Sequence, residues 1–140
     1  MRYLGLDLGT RTLGLSISDI TGTIASTYKT IRFEESNYDE LLPQIKEIVE
    51  LEHIEKLVLG LPKNMNNTLG DRALTTMEFQ KKLTDYLNKE VVLQDERLST
   101  VQAHNFMLEA DMSRKKRKKN VDKIAANIIL QTYLDIEKGR

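Results

Sequence analysis

Over the first third of the chain, apolar residues follow the period of strands; from about residue 37 they follow the period of helices. Tyr3, Leu4, Leu6 and Leu8 form a run apolar enough for a buried strand in the middle of a sheet. Leu13 to Asp19 alternates apolar and small polar residues, as a half-buried strand does, and Ile24 to Phe33 is rich in β-branched and aromatic residues. Short turns join these three runs, which predicts an antiparallel meander. Tyr38, Leu41, Leu42, Ile45, Ile48 and Val49 then share one helical face, although Pro43 inside that stretch predicts a late start or a kink.

Further on, Lys56 to Gly60 reads as a short buried strand and Arg72 to Asn88 as a helix with Phe79, Leu83, Tyr86 and Leu87 inward. Val91 to Gln94 is a fifth strand. Ser99 with Gln102 forms a capping box that opens a helix to about Met112. Val121, Ile124, Ala125, Ile128, Ile129 and Tyr133 or Leu134 make the inner face of a terminal helix. The order βββαβαβαα predicts a single α/β domain over residues 1–140. Its mixed five-stranded sheet is flanked by helices, and right-handed crossovers place the fourth strand beside the first.

Composition narrows the chemistry. The chain has no cysteine, which excludes disulfides and thiolate metal sites. Its two histidines, His53 and His104, stand in no metal-ligand spacing. No basic and apolar leader opens the sequence and no apolar run approaches membrane-spanning length, so a cytoplasmic protein without membrane contact is expected. The formal charge is zero, but it is unevenly spread. Residues 1–112 hold 12 basic and 18 acidic side chains, whereas residues 113–140 hold 9 basic and 3 acidic ones. A basic C-terminal quarter points to an anionic partner.

Three carboxylates stand where packing does not ask for them: Asp7 in the first strand, Glu96 at the end of the last, and Asp122 at the predicted start of the final helix. In open α/β sheets, sites lie beyond the carboxyl ends of the parallel strands, where these three elements would meet. Three carboxylates around one point repel unless a cation sits among them, and oxygen donors of this kind suit Mg²⁺ or Mn²⁺. Two such ions about 4 Å apart can activate water and stabilise the leaving oxygen in phosphodiester hydrolysis.

Each residue also has a plain structural reading. Asp7 could be neutralised by Arg11 in a hairpin, Glu96 could pair with Arg97 or Arg11, and Asp122 could serve the helix dipole. The opening Asp-x-Gly-Thr turn also resembles the phosphate turn of actin-like and sugar-kinase-like ATPases, but those close two such domains around a nucleotide. The six consecutive basic residues Arg114, Lys115, Lys116, Arg117, Lys118 and Lys119 read either as a solvated link between two helices or as a grip on a phosphate backbone. Lys63 and Asn64 open a polar loop after the fourth strand, at the same edge.

Four segments together resemble the YqgF (RuvX) family of Holliday-junction-resolvase-like proteins: Asp7 to Gly14, Gly60 to Asn64, Asp95 to Thr100, and Val121 to Ala126 with Ile129 and Leu130. The resemblance spans essentially the whole chain in order. It implies a ribonuclease H-like fold, with Asp7, Glu96 and Asp122 as the metal-binding catalytic set. It also implies a cytoplasmic bacterial nuclease that processes the 5′ end of the small-subunit ribosomal RNA precursor. On that reading Arg11, Lys63, Asn64, Arg97 and the run Arg114 to Lys119 contact nucleic acid. The family usually carries two basic residues where this chain has Arg11 and Thr12, and a glycine near Asn67. Branched DNA as substrate and a non-catalytic ribosome-assembly factor stand as alternatives, and the oligomeric state is open.

Overall fold

The computed structural model describes residues 1–62, 70–95 and 114–139, with the backbone alone for 114–120. Strands β1 (Tyr3–Leu8), β2 (Thr12–Ser18) and β3 (Ala25–Arg32) come first. A 3₁₀ turn at Tyr38–Glu40 then runs into helix α1 (Leu41–Leu51). Strand β4 (Lys56–Leu61), helix α2 (Asp71–Leu87), strand β5 (Val91–Asp95) and helix α3 (Arg114–Glu137) follow. The sheet order is β3-β2-β1-β4-β5. β1 is antiparallel to β2 and parallel to β4, and β5 is parallel to β4. The central place of β1 and its pairing with β4 match the sequence pattern. The late start that Pro43 predicts is what forms: the stretch opens as the 3₁₀ turn, the α-helix begins only at Leu41, and Pro43 falls in its first turn, where its missing N–H has no partner to lose.

The two faces of the sheet are covered differently. Leu4, Leu6 and Leu8 of β1 join Leu13, Leu15, Leu57, Leu59 and Val91 in a large core beneath α1 and α2. On the other face lies α3, whose Ile129, Leu130, Tyr133 and Leu134 pack with Val58 and Ala25. Further toward its N-terminus α3 meets the sheet through small residues. A Cβ on Gly5 would overlap the Ser16 hydroxyl and lie 2.7 Å from Leu130 Cβ. A Cβ on Gly14 would overlap the Asp122 carbonyl group. The helix therefore rests on strand backbone rather than on side chains. Polar contacts fix its register along β2 and β3. Ser16 Oγ donates to the Ala126 carbonyl (2.9 Å), while Gln131 accepts from Ala25 N–H (2.8 Å) and donates to the Thr23 carbonyl (3.0 Å).

Three expectations need correction. The basic run does not link two helices: residues 114–119 already belong to α3 (Arg114–Glu137). Lysine and arginine are good helix formers, and the charge run conceals that propensity. Asp122 is therefore more than two turns inside α3 rather than at its start. Tyr86 is 43% exposed, and the inner face of α2 is Ala73, Thr76, Phe79 and Leu83. The helix expected from Ser99 lies outside the described residues.

Because backbone cannot move aside as a side chain can, Gly14→Ala should destabilise the fold by about 1–3 kcal/mol. A denaturant midpoint that does not move would show that α3 is free to lift from β2.

Candidate active site

Asp7 sits near the end of β1, and strand alternation decides where its carboxylate goes. Leu6 and Leu8 on either side of it are buried in the core beneath α1 and α2, so Asp7 faces α3, as Gly5 does. Its cross-strand partner on β2 is Gly14. Directly opposed residues share a face and have Cα atoms about 5 Å apart. Gly14 in turn lies against the Asp122 carbonyl and the Lys123 amide nitrogen. Asp7, Gly14 and Asp122 thus form one continuous contact across two strands and a helix. Asp7 and Asp122 are brought to the same level of the same layer, both half-buried.

Helical periodicity gives Asp122 its direction. Ala126, Ile129, Leu130 and Tyr133 form the buried stripe of α3, and Asp122 is one turn ahead of Ala126 on that stripe. Packing alone would place an apolar or small residue there. The helix-dipole explanation does not apply, because that effect is confined to the first turn. A half-buried charge one turn ahead of that stripe needs a different reason.

The remaining sequence candidates divide plainly. Arg11 is 71% exposed and pairs with Glu35 at 3.2 Å, so its partner is a carboxylate of the β3–α1 connection. Backbone bonds from Phe33 N–H to the Arg11 carbonyl and from Ser36 N–H to the Thr10 carbonyl tie that connection to the β1–β2 turn. β5 runs parallel to β4 and ends at Asp95, opposite Leu61, at the carboxyl edge that β1 also reaches. Glu96 is the next residue of the chain. Glu96, Arg97, Lys63 and Asn64 lie outside the described residues. For Arg114 to Lys119 the backbone is helical and projects beyond Asp122, past the carboxyl end of β1. Among the described residues no group of three potential ligands is assembled.

One residue at this edge escapes a reading of the sequence. Arg72, in the first turn of α2, donates to the Leu8 carbonyl at 2.5 Å and reaches the Tyr38 hydroxyl at 3.5 Å. The parallel β1–β4 register runs only from Tyr3 to Leu6, so the Leu8 carbonyl lies beyond the ladder on that side. The guanidinium supplies the donor that β4 does not, next to Asp7 in the chain. Tyr38 is itself held between Phe33 and Phe79, with ring centroids 5.8 and 6.2 Å away. No local pattern announces such a contact, which joins residues 64 positions apart. Arg72→Ala should cost about 1–3 kcal/mol by stranding a partly buried acceptor, and should speed amide exchange at Gly9. Unchanged exchange there would mean that β1 holds its end without Arg72.

Residues 1–136 match the family described as "RuvX: Holliday junction resolvase". A protein of Caldanaerobacter subterraneus subsp. tengcongensis named "Putative pre-16S rRNA nuclease" is 50% identical over 140 residues, covering 99% of each chain. One of Bacillus pumilus with the same name is 51% identical over 135 residues, covering 96% of this chain and 98% of its own. The fold is similar to that of Thermus thermophilus RuvC in complex with a Holliday junction substrate. That likeness has a TM-score of 0.61 and 13% identity over 99% of this chain and 96% of the other. It is also similar to the Fowlpox virus resolvase in complex with junction DNA, with a TM-score of 0.59 and 14% identity over 98% and 99% of the two chains. Those likenesses establish a ribonuclease H-like fold, and the sequence match establishes the family: the chain belongs to the RuvX family of nucleases.

Proposed function

We propose that this chain is a metal-dependent endonuclease that hydrolyses phosphodiester bonds at the 5′ end of pre-16S ribosomal RNA, in the cytoplasm. The observation that carries the reading is the Asp7–Gly14–Asp122 contact, which brings two acidic residues to the same level of one sheet face. Glu96 would be the third. It follows β5 directly and stands four positions on from Val92, which packs on the α3 side. The names of the relatives and the family match support nuclease chemistry and an RNA substrate.

The donor set fits Mg²⁺ or Mn²⁺. It consists of hard carboxylate oxygens, with neither thiolate nor imidazole among the described residues near Asp7. Asp7, Glu96 and Asp122 would hold the cations, and two ions at such a site supply an activated water and charge stabilisation for the leaving oxygen. The chain's own part is orientation. Gly14 lets the helix backbone at Asp122 lie close to the strand opposite Asp7, and Arg72 secures the end of the strand that carries Asp7. The basic turns of α3 and the β1–β2 turn bearing Arg11 would grip the phosphate backbone, which positions a strand without reading its sequence. No described helix is long and apolar enough to cross a membrane.

Asp7→Asn should lower Mg²⁺- or Mn²⁺-dependent cleavage of precursor RNA by more than about a hundredfold, since even outer contacts of metal ligands are worth 10–100-fold. RNA binding without metal should be kept. Full cleavage by a contaminant-free Asp7→Asn protein would sink the mechanism. Branched DNA is the second reading, favoured by the fold shared with junction resolvases. Offering a four-way junction and the precursor RNA side by side separates the two, and cutting of neither would favour an assembly factor without catalysis.

Neutralising Lys115, Lys116 and Lys118 to Gln should weaken RNA binding. It should also flatten the log–log salt dependence by up to about 0.7 for each phosphate that the helix no longer neutralises. Affinity unchanged at low salt would reduce these turns to a solvated helix end.

A further inference from the structure

Arg32 stands on the face of the sheet that carries Asp7, with nothing among the described residues to hold it. β2 and β3 pair Leu13 with Ile31 and Thr12 with Arg32. Leu13 and Ile31 are both buried in the core beneath α1 and α2, so Thr12 and Arg32, one residue along, face the opposite side. That side is the one to which Asp7, Gly14 and Asp122 belong. The β-bulge between Leu15 and Ser16 matters here. It admits one extra residue on β3, and this sets Thr30 and Arg32 on the α3 side instead of the core side.

The other arginines whose side chains are described are engaged. Arg2 bonds the Ser18 carbonyl and Glu52, Arg11 pairs with Glu35, and Arg72 bonds the Leu8 carbonyl. Arg32 is exposed and, among the described residues, makes no ion pair or side-chain hydrogen bond. β3 is an edge strand, so no further strand of the described sheet crosses in front of it. With strands about 4.8 Å apart and residues about 3.4 Å apart along each, Arg32 lies two strands over and two residues beyond the level of Asp7, roughly 12 Å away. The helical turns of residues 114–119 project past the same edge on the same side of the sheet.

We propose that Arg32 is a phosphate-contacting residue, a part of the nucleic-acid track lying on the β3 side of the Asp7–Asp122 pair. The inference rests on the nuclease reading above and extends the track across the sheet, from the α3 turns to the outer strand. At its distance from Asp7, Arg32 takes a phosphate flanking the one that is cut, so it contributes to binding and not to the chemical step. The guanidinium suits this task, because its planar fork donates two parallel hydrogen bonds to phosphate oxygens. As a backbone contact it distinguishes no base. Its own backbone is fixed by the pairing with Thr12, so the side chain can be changed without disturbing the strand.

The test compares wild-type protein with Arg32→Gln and, as a control, Lys46→Gln on the far face of the sheet. Binding of a labelled single-stranded fragment of precursor RNA is measured in EDTA across a salt series. Cleavage is measured with Mn²⁺. For Arg32→Gln the log–log salt slope should fall by about 0.7, the value of one single-strand phosphate contact, and KM should rise several-fold with kcat and Tm unchanged. Lys46→Gln should behave as wild type. An Arg32→Gln protein with the wild-type slope and KM overturns the assignment and leaves the nuclease reading intact. A fall in kcat or Tm in place of the slope change also overturns it, by making Arg32 structural. If the wild-type protein itself neither binds nor cuts the RNA, both readings fail together.

Discussion

The depth to which α3 settles on the sheet is the constraint on which the site depends. Most helices on a sheet stand off by the thickness of two layers of side chains. Here the strand side of the contact is Gly5, Gly14 and Ser16, and the helix side near Ser16 is Ala126, so the N-terminal half of the contact is backbone on backbone. Such a contact buries little apolar surface. It is secured by the apolar half further along, where Ile129, Leu130 and Leu134 are almost fully buried, and by the Ser16 and Gln131 hydrogen bonds that prevent sliding. The helix is anchored at one end so that it can lie low at the other.

That division of labour matches the charge distribution. Asp122 and Asp7 lie at the level where the apolar stripe runs out, and beyond them α3 continues for two turns rich in consecutive cations. Like charges four apart on a helix, such as Arg114 with Lys118 and Lys115 with Lys119, each cost a few tenths of a kcal/mol. Carboxylates in one layer repel as well. On the proposed function the two repulsions would be lifted by different things: a divalent cation between the acids, and a polyanion along the basic turns. A phosphodiester strand on a metal site would provide both together.

Much of this was legible in the sequence, and the reason lies in how local each signal is. β1 shows itself by its apolar run, α1 by its 3.6 period, and Asp7 by being a charge in a buried strand. Asp122 is legible too, but for the wrong local reason, because the basic run looks like a link and makes the aspartate look like a first-turn residue. The stripe Asp122, Ala126, Ile129/Leu130, Tyr133 is readable in the sequence once the helix is carried back to Arg114. Tyr86 is misplaced by its periodicity since α2 buries small residues, Ala73 and Thr76, that a hydrophobicity pattern underweights. Arg72 and Arg32 were out of reach. The first depends on where the β1–β4 ladder stops, the second on a bulge that sets the facing of the end of β3, and both are facts of pairing between distant segments.

The same contrast explains why the acid pair is held by backbone. A carboxylate at the tip of a long side chain can be turned by rotamer changes, whereas aspartate has one methylene and takes its position from the chain. Asp7 is fixed by the strand ladder to Gly14 on one side and, through Leu8, by Arg72 on the other. Asp122 is fixed by the peptide that Gly14 touches. Gly14 is common to both, so the separation of their two backbones is set by the absence of one methyl group. Any larger residue there would move a rigid helix, not a side chain, and would carry the basic turns away from the sheet along with Asp122.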